Sequence, residues 1–221
     1  MRALFSLLAV LLACSLQARP SGAELSNVPS EVLLRPTDVF WGESAPDRFR
    51  VRFATSEGEF VVSIHREWAP FGVDRFFNLV RASFYDDSRF FRIRAGYIAQ
   101  FGIAGAPEVA AVWRDRSIPD DPVRETNTRG RLAFAMTGPD TRTTQLYINL
   151  VDYSHLDDQG FAPIGEVIEG LEVVMRMYAG YDEGAGGGMR GGKQDKIFSE
   201  GNAHLDREFP KLSRLERAVV E

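Results

Sequence analysis

The sequence predicts a mainly β chain folded as an antiparallel barrel or sandwich. Three observations point there. Short apolar runs recur along the chain, clusters of Gly, Pro, Asp and Thr separate them, and only two internal stretches carry a helical stripe. The 221 residues are 44% hydrophobic and 26% charged, enough for a core without covalent staples. Sixteen Phe against six Tyr and three Trp make that core aromatic.

The elements follow in order. Met1-Arg2 is a short basic start, and residues 3–13 are apolar apart from Ser6, the layout of a secretory signal peptide over residues 1–23. Residues 24–46 carry Pro29, Pro36 and Pro46 without sustained periodicity and read as a linker or extended arm. Phe49, Val51 and Phe53 then alternate with more polar positions, and the turn at Ser56-Glu57-Gly58-Glu59 leads into Phe60, Val62 and Ile64, which is a hairpin pattern. Pro70 opens a helix striped by Val73, Phe76, Phe77 and Val80. Strand-like runs follow at residues 90–93, 97–101, 132–136, 146–150 and 164–168. A second helix fits residues 171–178, a strand residues 196–198, and a last helix residues 209–220, where Phe209, Leu212, Leu215 and Val219 align. The organisation is therefore leader 1–23, arm 24–46, a domain over 47–199, and a helical tail over 200–221.

Composition excludes several classes. One Cys and three His leave no zinc-ribbon scaffold, and His65, His155 and His204 lack helical metal-site spacing. A net charge of -5 argues against general nucleic-acid binding, which needs a basic footprint. No stretch reaches the roughly 18 apolar residues of a membrane span. Gly186, Gly188 and Gly191 satisfy a G-x-G-x-x-G pattern, but a helix precedes it and a strand follows, the reverse of a dinucleotide site, so residues 184–192 read as a surface loop. Asp86-Asp87, Asp120-Asp121 and Asp157-Asp158 lack calcium-loop spacing and read as turn residues on a solvated face. No nucleophile elbow appears, and Cys14 lies in the leader. Conventional covalent chemistry has no candidate here, which leaves a reaction that breaks no covalent bond, with no cofactor or metal expected.

Residues 90–102, Phe-Phe-Arg-Ile-Arg-Ala-Gly-Tyr-Ile-Ala-Gln-Phe-Gly, resemble the central signature of the cyclophilin family of peptidyl-prolyl isomerases, roughly F-H-R-I-I-P-G-F-M-x-Q-G-G. Gly130-Arg131-Leu132-Ala133-Phe134-Ala135, then Gly138-Pro139 and Thr144-Gln145-Leu146-Tyr147-Ile148, resemble the second. Leu156-Asp157 with Gly160-Phe161-Ala162-Pro163-Ile164-Gly165-Glu166-Val167 resembles the third. Three ordered signatures cover about residues 49–198. The stretch 113–123, the Gly-rich loop and the tail from Glu200 resemble elaborations of bacterial-type members.

The resemblance implies a closed eight-stranded antiparallel β-barrel capped by two α-helices, with the active groove outside it. It implies Arg92 as the key catalytic group, with Gln100 holding that arginine and the substrate backbone. A proline pocket would be built from Tyr97, Ile98, Tyr147, Leu156 and Phe161. Gln145 and the backbone at Ala135 would line the peptide groove, with Met136 beside them where the family usually has Asn. Tyr97 and Tyr147 replace Phe, Phe161 replaces His, and His155 sits near the usual Trp across a one-residue insertion, changes that bear on affinity and cyclosporin sensitivity more than on catalysis. A strand arginine more often makes a surface ion pair, and the apolar residues taken singly are more often core; membership of the full signature favours the site.

The expected function is isomerisation of X-Pro bonds in exported chains, assisting their folding in the periplasm. The expected partners are proline-containing polypeptides, and the expected state is a monomer. The competing readings are a non-catalytic proline-peptide binding or assembly module of the envelope, and a barrel serving only as a tethered scaffold. Leu11-Leu12-Ala13-Cys14 also resembles a bacterial lipobox, which would acylate Cys14 and tether the chain to a membrane surface. Plain cleavage after Ala18 or Ala23 is the alternative. On either route a single Cys leaves no internal disulfide.

Overall fold

The computed structural model describes residues 30–189 and 192–221. The hairpin forms where alternation predicts it, as β1 (Arg48–Thr55) and β2 (Gly58–His65), paired antiparallel with Thr55 opposite Gly58. Phe49, Val51 and Phe53 point inward, and so do Phe60, Val62 and Ile64. α1 (Pro70–Arg81) starts on its proline and buries Val73, Phe76, Phe77 and Val80. Its first free N–H groups are met from fifty residues away, by the Asp121 carboxylate, which accepts from Phe71 N at 3.0 Å and Gly72 N at 2.9 Å.

The remaining elements are β3 (Ser88–Arg89), β4 (Arg92–Arg94), β5 (Ile98–Phe101), α2 (Pro107–Trp113), β6 (Arg131–Phe134), β7 (Leu146–Asn149), β8 (Pro163–Glu169), α3 (Leu171–Arg176), α4 (Asp195–Glu200), α5 (Asn202–Glu208) and β9 (Arg214–Val220). The strands form one antiparallel sheet in the order β3-β9-β1-β2-β8-β6-β7-β5-β4. Nine strands in an open order make a half-barrel, in place of the expected closed ring of eight. The two edge strands are consecutive in the chain, separated only by Phe90 and Phe91, yet they are not hydrogen-bonded neighbours in the sheet. Its concave side holds the aromatic core: Phe53 stacks on Phe60 at 4.7 Å, and Phe101 meets Phe90 at 4.8 Å and Tyr85 at 5.9 Å.

Two other expectations are corrected. Residues 209–220 do not form a helix: α5 ends at Glu208, and Arg214–Val220 is a strand against β1. The register shifts between Ala54 and Thr55, where Arg217 and Leu215 are the respective partners, so one extra residue bulges in β9. Leu215 and Ala218 both end up buried, three apart, which imitates a helical stripe. Residues 196–198, expected as a strand, lie in α4, with Ile197 and Phe198 buried; a short apolar run does not discriminate between the two. The described α-helices number five, more than the two caps and one C-terminal helix expected.

Asp121 does not sit on a solvated face. It is buried with Arg142, whose Nη2 donates to Asp121 Oδ2 at 3.0 Å while its Nε lies 3.1 Å from Asp120. The arm packs onto the body over its described part: Val32 and Leu33 are buried, Trp113 Nε1 donates to Leu33 O at 2.8 Å, and Trp41 meets Trp113 edge-on at 4.5 Å. The leader, including Cys14, lies outside the described residues.

Candidate active site

Strand register assembles the site. Arg92 pairs with Gln100 across β4 and β5, Gln100 with Tyr147 across β5 and β7, and Tyr147 with Ala133 across β7 and β6. Directly opposed residues project to the same face of a sheet. One row therefore runs Arg92–Gln100–Tyr147–Ala133, while the neighbouring row Ile93–Ala99–Ile148–Leu132 points into the main core. The outward row carries its own apolar cluster, separate from that core: Ile98, Ala133, Ala135, Tyr147 and Leu156, with Tyr97, Phe161 and Met189 packed on it.

These side chains surround an open cavity of about 250 Å³. Of the residues expected at the site, Arg92, Gln100, Tyr97, Ile98, Ala135, Met136, Tyr147, Leu156 and Phe161 line it. Gln145 does not. It lines an adjoining cavity of about 360 Å³ instead, and reaches the first through Gln100, whose Nε2 donates to Gln145 Oε1 at 2.9 Å. Gln145 Nε2 in turn donates to Gln194 Oε1 at 2.8 Å. Gln159, Gly188 and Met189 complete the first cavity's wall; sequence reasoning did not single them out.

The guanidinium of Arg92 enters the cavity wall with its side chain only 11% exposed. Nη1 donates to Gln100 Oε1 at 3.1 Å, and Nε donates to Glu183 Oε1 at 2.9 Å. Nη2 also donates to Glu183 Oε1, and the guanidinium lies 5.8 Å from the Tyr97 ring. The hydrogen bond from Arg92 holds the Glu183 carboxyl below the usual carboxylate range. Glu183 had no sequence signal, because it lies 91 positions from its partner in an irregular segment.

The far wall is braced from behind by Asn127, which is fully buried. Tyr147 Oη donates to Asn127 Oδ1 at 3.0 Å, and Asn127 Nδ2 donates to Asp157 Oδ1 and to Phe161 O, each at 2.8 Å. Burial pushes the phenols of Tyr147 and Tyr97 up from their ordinary value, so both rings stay neutral at physiological pH. Tyr147 and Phe161 meet edge-on at 5.8 Å. The arrangement is an apolar slot with one cationic donor group at its side. It offers a planar, uncharged group an apolar surface and directional N–H groups.

Comparison with known proteins bears on the family and the fold. The family model for cyclophilin type peptidyl-prolyl cis-trans isomerases matches residues 50–197. The chain is 31% identical over 134 residues to the peptidyl-prolyl cis-trans isomerase B of Escherichia coli, covering 56% of this chain and 80% of that one. It is 30% identical over 131 residues to the peptidyl-prolyl cis-trans isomerase of Acinetobacter baylyi, covering 56% and 69%. A cyclophilin type isomerase of Cryptosporidium parvum shares the fold with a TM-score of 0.58 at 17% identity, over 79% of this chain and 98% of that one.

Proposed function

The chain belongs to the cyclophilin-type peptidyl-prolyl cis-trans isomerase family, and on that premise we propose that its chemistry runs in the cavity beside Arg92. It is a peptidyl-prolyl cis-trans isomerase. The observation that carries the site assignment is the Arg92 guanidinium, fixed by Gln100 and Glu183 at the wall of an apolar slot.

Rotation about a peptide C–N bond faces a barrier of roughly 18–20 kcal/mol, set by amide resonance. X-Pro bonds populate both isomers and exchange over roughly tens to hundreds of seconds. Twisting the bond breaks the resonance, the nitrogen becomes pyramidal, and it regains a lone pair. An N–H of Arg92 can donate to that lone pair, which the planar ground state barely offers. The twisted amide also loses charge separation, so the slot formed by Ile98, Tyr147, Leu156 and Phe161 favours it over water. Lowering the barrier by about 5 kcal/mol accelerates exchange several thousandfold. No proton moves and no covalent bond is broken.

In this reading the prolyl ring enters the slot, Gln100 orients Arg92 and the substrate backbone, and Ala135, Met136 and Gln145 flank the peptide on its way to the adjoining cavity. The enzyme acts as a monomer on exported proline-containing chains. Support for export is the leader of residues 1–23, and support for a bacterial-type enzyme is the set of bacterial relatives. Intact mass of the mature chain separates the two processing routes: acylation at Cys14 adds hundreds of daltons, and cleavage after Ala18 or Ala23 adds none.

The deciding experiment is an isomerisation assay on an X-Pro peptide with wild type and Arg92→Ala. Loss of one preorganised donor is expected to lower kcat/KM about a hundredfold or more. Equal rates would overturn the assignment, and peptide binding without turnover in the wild type would support a non-catalytic module.

A further inference from the structure

Arg92 and Arg94 lie two apart on the edge strand β4, and each meets one of two consecutive acids. Arg92 is held by Glu183 as described, and Arg94 Nε lies 3.4 Å from Asp182. Arg94 Nη1 also lies 3.7 Å from Glu183. Asp182 has φ 46°, a left-handed conformation uncommon outside glycine, and this bend helps set both carboxylates against β4. The segment that follows is seated on the same edge. A Cβ at Gly186 would come within 2.4 Å of the Phe91 ring, and one at Gly188 would lie 3.6 Å from the Arg92 guanidinium carbon.

A guanidinium has five N–H groups. Glu183 accepts from Nε and one N–H of Nη2, and Gln100 accepts from one N–H of Nη1. One N–H on each Nη is left for the cavity that Arg92 lines. With Gln100 alone, a single hydrogen bond would hold the end of a long flexible side chain, and the free N–H groups would have no fixed direction.

We propose that Glu183 is a positioning residue for the isomerisation: its carboxylate locks the Arg92 guanidinium so that the two remaining N–H groups face the prolyl nitrogen. Glu183 does not touch the substrate. This rests on the reading that Arg92 is the catalytic donor.

The test compares full-length Glu183→Ala, Glu183→Gln, Arg92→Ala and the Arg92→Ala/Glu183→Ala double variant, with kcat and KM separated on one X-Pro peptide and thermal melting measured alongside. Glu183→Ala is expected to lower kcat about tenfold while KM stays within about twofold, because the apolar slot is intact. Glu183→Gln keeps an accepting oxygen and is expected to recover part of that loss, which also guards against a folding defect in the Ala variant. In the Arg92→Ala background, Glu183→Ala is expected to add nothing. An unchanged or raised kcat, a change in KM alone, or losses that multiply in the double variant would overturn the proposal. If Arg92→Ala cripples the enzyme and Glu183→Ala does not, only the role of Glu183 falls; if Arg92→Ala is itself neutral, the donor reading falls with it.

Discussion

Arg92 and Gln100 are partners twice over: their Cα atoms oppose each other in the β4–β5 ladder, and their side chains meet again where Nη1 donates to Oε1 at 3.1 Å. The backbone pairing sets the side-chain pairing, so the direction of the guanidinium is a property of the sheet. Gln100→Ala keeps the strands and removes the second contact. It is expected to lower kcat/KM about tenfold, a cost near 1.4 kcal/mol in the transition state, with the melting temperature little changed. Wild-type rates in that variant would show that Arg92 needs no support from β5.

Acidification probes Glu183. The Arg92 hydrogen bond is the largest influence and depresses its carboxyl; burial opposes it, and the charges of Arg92, Arg94 and Lys193 add smaller depressions. A carboxyl depressed in the folded state stays paired at and above its ordinary value, about 4.3, and the pairing is lost only as pH falls through the lower folded value. Activity is therefore expected to hold through pH 5 and to fall below the ordinary glutamate range, whereas Glu183→Gln shows no such acid limb. A pH–rate profile for both proteins checks this, and matching profiles would contradict it.

Asp121 joins two structures, the N-terminus of α1 and the buried Arg142. Asp121→Ala leaves a buried guanidinium without its nearest charge and two helix N–H groups without an acceptor. The expected loss in folding stability is about 3–5 kcal/mol. Replacing both partners, Asp121→Leu with Arg142→Met, is expected to cost less than the single change. Urea unfolding of the three proteins gives the comparison.

Gly102 has φ 101°, and a Cβ there would lie 2.6 Å from the Thr144 carbonyl oxygen, in backbone that cannot yield cheaply. Gly102→Ala is expected to destabilise by at least about 2 kcal/mol. Gly138→Ala, where nothing lies within 4 Å, is the control and should stay within about 0.5 kcal/mol. Thermal melts that rank the two the other way would count against this account of the β5 exit.

What was legible in the sequence is what short-range pattern encodes. The β1–β2 alternation placed Phe53 and Phe60 in the core, and Pro70 with its Phe stripe placed α1. The ordered signatures bring together Arg92, Gln100, Tyr97, Tyr147 and Phe161, all of which line the same cavity. The failures share a cause. β9 resembles a helix in the sequence because its bulge converts a period of two into three, and α2 is apolar at every position after Glu108, so no polar face marks it as a helix. The acceptors that matter most, Asp121 for α1, Glu183 for Arg92 and Asn127 for Tyr147, lie far along the chain from the groups they serve. Gln145 fell on the far side of Gln100 because it leads the β7 strand and faces the next hollow.

The short ends of the half-barrel have a consequence for an enzyme whose substrates are other polypeptides. β3 and β4 are two and three residues long, belong to one continuous stretch of backbone, and are flanked by the segment seated on Phe91. Such a sheet offers almost no unpaired backbone rim on which a half-folded client could add a strand of its own. An X-Pro segment can therefore approach the cavity beside Arg92 with little open sheet edge nearby to pair with.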